Sequence, residues 1–137
     1  MEDLDGIYQR AFEAYRAGQP AAAEAALEAL LARSPLDARA LLLKSVVHPK
    51  TEATVCLALV EHSLHLDPGN PEAWYNLAVF EAERGRLEAA LEGYRRAIML
   101  DPLHPHALAN ACGLLRRLGR PDEAQALAAR HRPPGAT

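Results

Sequence analysis

Aromatic residues make up only 5% of this 137-residue chain, and strand-forming residues are scarce and never alternate with polar ones over a useful length. A half-buried strand needs that alternation, so a β-rich architecture is excluded. Long apolar runs are missing too: the longest strictly apolar stretch, Val55 to Val60, is too short to cross a bilayer. The acidic start Met1-Glu2-Asp3-Leu4-Asp5 lacks the basic and apolar regions of a secretory leader, so a cytoplasmic protein with no membrane partner is expected. Cys56 and Cys112 stand apart without paired spacing, which predicts buried free thiols. A net charge of −3 excludes a strongly basic nucleic-acid binder. No glycine-rich phosphate loop, nucleophile elbow or paired catalytic carboxylates at a strand end occur, so neither enzymatic activity nor a cofactor is expected. His62 with His65, and His104 with His106, reach metal-ligand geometry only with carboxylate or thiolate partners that the nearby sequence does not supply; surface histidines are expected.

Half of the residues are hydrophobic, with alanine and leucine dominant, and the chain is long enough for one domain that buries a sizeable core by stacking consecutive elements. The stretch Pro71 to Pro102 sets the pattern. Trp74, Leu77 and Phe80 fall on or near one face of a helix, and Leu87, Ala90, Leu91, Tyr94 and Ile98 on one face of a second. Asn70 and Pro71 open the first helix, and Gly85 ends it in the left-handed conformation. The result is a helix hairpin in which the small Ala78 and Ala90 permit close backbone approach.

The hairpin recurs. Leu66, Asp67 and Pro68 return as Leu100, Asp101 and Pro102, at a period of about 34 residues. Forward in the same register stand Leu108, Cys112, Gly119, Ala124 and Ala128; backward stand Ile7, Ala11, Gly18, Ala23 and Leu27, closed by Pro35. The spacing of Trp74, Leu77, Ala78, Ala90, Tyr94, Ala97 and Pro102 resembles the tetratricopeptide repeat, with Ala78 where glycine is commonest and Glu81 where tyrosine is usual. The resemblance implies an all-α, right-handed α-solenoid of four antiparallel hairpins, residues 4–37, 38–70, 71–104 and 105–132, before a disordered tail over 133–137. The second hairpin is degenerate. The step from Pro35 to Pro68 falls one short of the period, the internal glycine is absent, Pro49 must stop the helix, and Thr51 is positioned to cap the next. The turn 48–51 is either drift or a surface reshaped for a partner.

The family implies a scaffold that binds another protein, its first helices lining a concave groove at fixed repeat positions. Those positions carry Tyr8, Phe12 and Tyr15 in the first repeat, Leu42 and Val46 in the second, Tyr75, Asn76 and Val79 in the third, and His106, Asn110, Arg116 and Arg117 in the fourth. Tyr8, Phe12 and Tyr15 serve either as core or as a docking strip. Asn76 and Asn110, one period apart, can form two rungs of the amide ladder that family members attached to protein O-linked sugar transferases use to grip extended peptides, or can bond within the repeats. Arg116 and Arg117 can hold a carboxylate or stand solvated. The clamp of chaperone-docking members is not reproduced, because Leu42, Val46, His106 and Asn110 do not fit its basic and amide positions. Residues 103–137 carry +3 against −3 over 1–36, and the stretch after the last repeat is too short for the capping helix that such families often append, so an uncapped last repeat is expected. Two further readings therefore stand: a homo-oligomer built through the uncapped last repeat, and a regulatory module for a separately encoded enzyme such as a glycosyltransferase.

Overall fold

A computed structural model describes residues 2–131, which form eight helices and no strand. They are α1 (Leu4–Arg16), α2 (Pro20–Arg33), α3 (Ala38–Val47), α4 (Ala53–Leu66), α5 (Pro71–Glu83), α6 (Leu87–Leu100), α7 (Ala107–Arg117) and α8 (Pro121–Arg130). Consecutive helices pair as four antiparallel hairpins. Where a single domain is expected from length, the chain forms two compact units that divide between Pro68 and Gly69, each of two hairpins. The fourth hairpin begins at Ala107, two residues later than Pro105, and the expected tail over 133–137 lies outside the described residues.

Local chemistry fixes the helix ends. The Asp3 carboxylate accepts from the Gly6 amide at 2.7 Å, Asp37 from Ala40 at 3.1 Å and the Asn70 side chain from Glu72 at 3.1 Å, each satisfying an orphan first-turn donor. Pro20, Pro71 and Pro121 occupy first positions, where the missing N–H costs nothing. Gly18, Gly85 and Gly119 follow α1, α5 and α7 with φ of 72°, 80° and 74°, a region that side chains disfavour, and so turn three of the hairpins.

The second hairpin turns without glycine. His48 is extended (φ −61°, ψ 143°), as a residue before proline must be, and Glu52, not Thr51, stands at the start of α4. The turn is held by His48 itself, whose Nδ1 lies 3.0 Å from Glu24 of α2 and whose Nε2 lies 2.9 Å from Glu52. Both ring nitrogens face carboxylates, so the doubly protonated imidazolium is the form that fits. The bond to Glu52 and then that to Glu24 raise the His48 pKa above its usual 6.5 against the opposing effect of burial. A raised folded-state pKa contributes stability that is complete below the ordinary histidine value and is lost as pH rises through the raised one. Thermal melts of wild type and His48→Gln should therefore differ most near about pH 6, by roughly 1 kcal/mol or about 3 °C, and converge toward about pH 9. A difference that stays constant across the series would remove the ion pairs from this account.

In the first unit the core gathers Ile7 and Ala11 of α1, Ala23, Ala26, Leu27 and Leu30 of α2, and Ala40, Leu43 and Val47 of α3. In the second it gathers Ala78, Ala90, Leu91, Tyr94, Ala97 and Ile98 with Ala107, Ala111, Leu114, Leu115 and Leu127. At Gly93, α6 lies close against Ala78 of α5. A β-carbon built on Gly93 would stand 2.9 Å from the Ala78 β-carbon and 3.2 Å from the Trp74 carbonyl. Ala90 is buried, yet Gly93 is the residue the crossing depends on. Glu81 is buried as well; one of its oxygens lacks a hydrogen bond and lies 3.8 Å from the Arg86 guanidinium, a desolvated carboxylate where the repeat that the sequence resembles usually has tyrosine.

Candidate functional site

In the first unit the groove positions of α1 form a continuous aromatic strip. Tyr8 and Phe12 stack with ring centroids 6.4 Å apart, and Phe12 and Tyr15 lie at the same separation but tilted. Tyr8 and Phe12 are half-buried against the core, while Tyr15 is 42% exposed, so the strip is core at its base and surface at its edge. Cations flank it. The Arg39 guanidinium sits 4.7 Å from the Tyr8 ring centre and Arg16 6.0 Å from that of Phe12. Arg39 is fixed by two bonds to Asp37, at 3.1 and 3.3 Å, and one of 2.9 Å to Asp5. Burial pushes the Tyr8 phenol up, and Arg39 partly offsets it. Burial also opposes ionisation of Asp37, but Arg39 and the Ala40 amide hold its carboxyl below the usual range. The second-repeat residues fall differently. Leu42, expected to face the groove, is buried at 9% exposure, and Val46 is half-buried against the first-unit core, so the apolar character of α3 serves packing.

In the second unit Tyr75 is a keystone. Its ring lies 4.7 Å from His104, 6.2 Å from His106 and 5.9 Å from Tyr94, and its hydroxyl accepts from the Asn110 amide at 3.2 Å. Asn110 is thus tied within the repeats through its amide nitrogen. Its bond to Tyr94 opposes the upward push of burial on that phenol. Asn76 is half-exposed and makes no hydrogen bond through its side chain among the described residues, and Val79 is half-buried against the core. His104, expected at the surface, is buried: Nε2 lies 2.8 Å from Glu72, while Nδ1 accepts from the His106 and Ala107 amides at 3.3 and 3.1 Å. It caps α7 as Asn70 caps α5. A capping imidazole has no sequence signature comparable to Ser, Asp or Asn, but its place one period after Asn70 was a signal.

Arg116 and Arg117 do not converge. Arg117 lines a cleft of about 280 Å³ together with Ala82, Tyr94, Ala109, Asn110, Gly113 and Leu114. Arg116 lines a different one, described below. Neighbours in sequence on a helix point about 100° apart, in keeping with the separate clefts that the two side chains line. Gly93 is a residue that reasoning from sequence missed. A glycine inside a helical pattern costs about 1 kcal/mol relative to alanine, and that cost was the available sign of a packing role.

Tetratricopeptide repeat profiles match residues 8–48 and 59–92, together more than half of the chain. The chain belongs to the tetratricopeptide repeat family. This tetratricopeptide repeat protein is 38% identical over 66 residues to cellulose synthase operon protein C of Pseudomonas fluorescens (strain SBW25), a match covering 48% of this chain and 5% of that protein. Its fold matches a mutant O-GlcNAc transferase of Thermobaculum terrenum with a TM-score of 0.81 at 25% identity, over 93% of this chain and 26% of the transferase chain. It matches crystalline MamA equally, with a TM-score of 0.81 at 16% identity, over 94% of this chain and 76% of that chain. The tetratricopeptide repeat protein therefore spans about a twentieth of the first relative and a quarter of the transferase chain. Its fold is that of a protein–protein interaction scaffold. Among the described residues no helix is long and apolar enough to cross a membrane.

Proposed function

We propose that this tetratricopeptide repeat protein binds an extended segment of another protein on the exposed faces of its first helices. The observation that carries the reading is the cleft of about 280 Å³ in the second unit, where Ala82 of one repeat meets Ala109, Asn110, Gly113 and Arg117 of the next. Small residues leave room for a peptide backbone. Asn110 lines the cleft with an amide suited to the backbone groups that an extended chain leaves unpaired, and Arg117, which has no carboxylate partner among the described residues, supplies a charged anchor for an acidic side chain or carboxylate. Asn76, one repeat earlier, offers a second amide. In the first unit the strip of Tyr8, Phe12 and Tyr15 offers apolar and aromatic contact of the kind that dominates peptide affinity.

Peptides selected from a display library against the full chain, then titrated by fluorescence polarisation, test the reading. Arg117→Glu should weaken binding about tenfold or more and Asn76→Ala about threefold, with unchanged thermal midpoints, since a hydrogen bond to a charged group is worth about 1.5–3 kcal/mol. Peptides indifferent to both substitutions would remove the cleft from the binding site. The likeness to part of an O-GlcNAc transferase chain supports a second reading, a binding module that serves a separately encoded catalytic chain.

A further inference from the structure

A second cleft in the same unit, of about 490 Å³, is lined by Leu108, Ala109, Cys112 and Arg116 of α7, Ala128 and His131 at the end of α8, and the loop before α7. Each of these helix positions has a counterpart one repeat earlier: Trp74, Tyr75, Ala78, Ala82, Tyr94 and Ala97. Those counterparts belong to the cluster against which α7 packs. The cleft is therefore the seat of α7 translated by one repeat, and it is shaped for a helix. What α7 places in its own seat shows what fits: Ala107 and Ala111 are fully buried and Leu114 is 4% exposed, small residues four apart with a leucine three further on.

The surroundings add two properties. Leu103, on the rim, is 80% exposed, and Met99, lining an adjoining hollow with Ile98, Leu127, Arg130 and His131, is 77% exposed. Large exposed side chains gathered in one place mark an interaction surface more than scattered ones do. Arg116 and Arg130 border the two hollows and form no ion pair among the described residues.

A second copy of the chain does not suit this face. The positions of α1 that correspond to Ala107, Ala111 and Leu114 are Gly6, Arg10 and Glu13, with Arg10 paired to Glu2 at 2.8 Å, so the leading helix brings charge where the cleft asks for small apolar groups. Two copies meeting through the same face would set Arg116 and Arg130 against themselves. We propose that the open face of α7 and α8 docks an amphipathic helix of another protein, with small residues at four-residue spacing on its apolar side and carboxylates along its edge to pair with Arg116 and Arg130.

The test is a display library of single helices of about four turns, selected against the full chain and titrated by fluorescence polarisation. Selected helices should be enriched in Ala or Gly at four-residue spacing and in Asp or Glu beside it. Ala128→Arg, which puts a long cation into the cleft, should abolish binding, and Arg116→Glu combined with Arg130→Glu should weaken it at least about tenfold. Leu103→Glu, at an exposed position, should weaken it as well and keeps the test decisive if Ala128→Arg does not fold. Arg117→Glu should leave helix binding unchanged, which separates this face from the peptide cleft. Recovery of no helix, of helices without acidic enrichment, or of helices insensitive to these variants would overturn the proposal. A concentration-dependent dimer in sedimentation that Leu103→Glu dissolves would also overturn it, by assigning the face to a second copy.

Discussion

Replacing Gly93 with leucine is expected to lower the stability of the second unit by about 3 kcal/mol, read as a fall of roughly 10 °C in the thermal midpoint. The first added carbon alone would meet the Ala78 β-carbon at 2.9 Å and the Trp74 carbonyl at 3.2 Å, and the latter is backbone that cannot swing aside. Because α5 and α6 cross at this point, relief requires them to part, which would open the packing of Leu91, Tyr94 and Ile98 around it. Gly93→Ala separates the two effects of glycine: alanine gains about 1 kcal/mol of helix propensity but carries the same clash, so it too should destabilise. Gly113→Ala is the control. Nothing lies within 4 Å of a β-carbon there, and a gain of about 0.5–1 kcal/mol is expected. If Gly93→Leu melts within a degree or two of wild type, the close crossing is not what limits the stability of this unit.

Tyr75→Ala should cost nearly as much, about 2–3 kcal/mol in urea denaturation, because it removes a half-buried ring that touches Tyr94, His104 and His106 together. Tyr75→Phe keeps the ring and loses only the bond from Asn110, and should cost about 1 kcal/mol. The gap between the two variants measures the keystone packing. The phenylalanine variant carries a functional readout as well, since it releases an Asn110 N–H toward the peptide cleft; selected peptides should bind it no more weakly than wild type. Equal losses for both variants would mean that the hydroxyl, and not the ring, holds the cluster.

Much of this fold could be read in the sequence because its signals are local. Asp-Pro steps one period apart, Asn70 before Pro71, and glycines after α1, α5 and α7 each dictate a backbone event close by in the chain. Residues whose role depends on a neighbour in another helix were less legible. Leu42 occupies a groove position in the repeat pattern, but the pattern specifies a direction from the helix and not what lies in that direction, and the side chain is buried. For Asn110 the sequence leaves open a ladder rung or a bond within the repeats, and only the structure shows Tyr75, in the preceding repeat, claiming one of its N–H groups. Thr51 lost the capping place to Glu52 because the turn is set by Pro49 and by a histidine reaching between two helices. Arg116 and Arg117 both occupy groove positions of the repeat pattern, but the pattern does not tell that they line separate clefts.

Trp74, the sole tryptophan, lies in α5 with the Arg96 guanidinium 5.5 Å from its ring centre. Indole emission is consequently an optical label that nature has placed in one half of the molecule, whereas far-ultraviolet circular dichroism sums the helices of both. Recording the two signals from one heated sample will show, without any added dye or tag, whether the halves lose their structure together or one before the other.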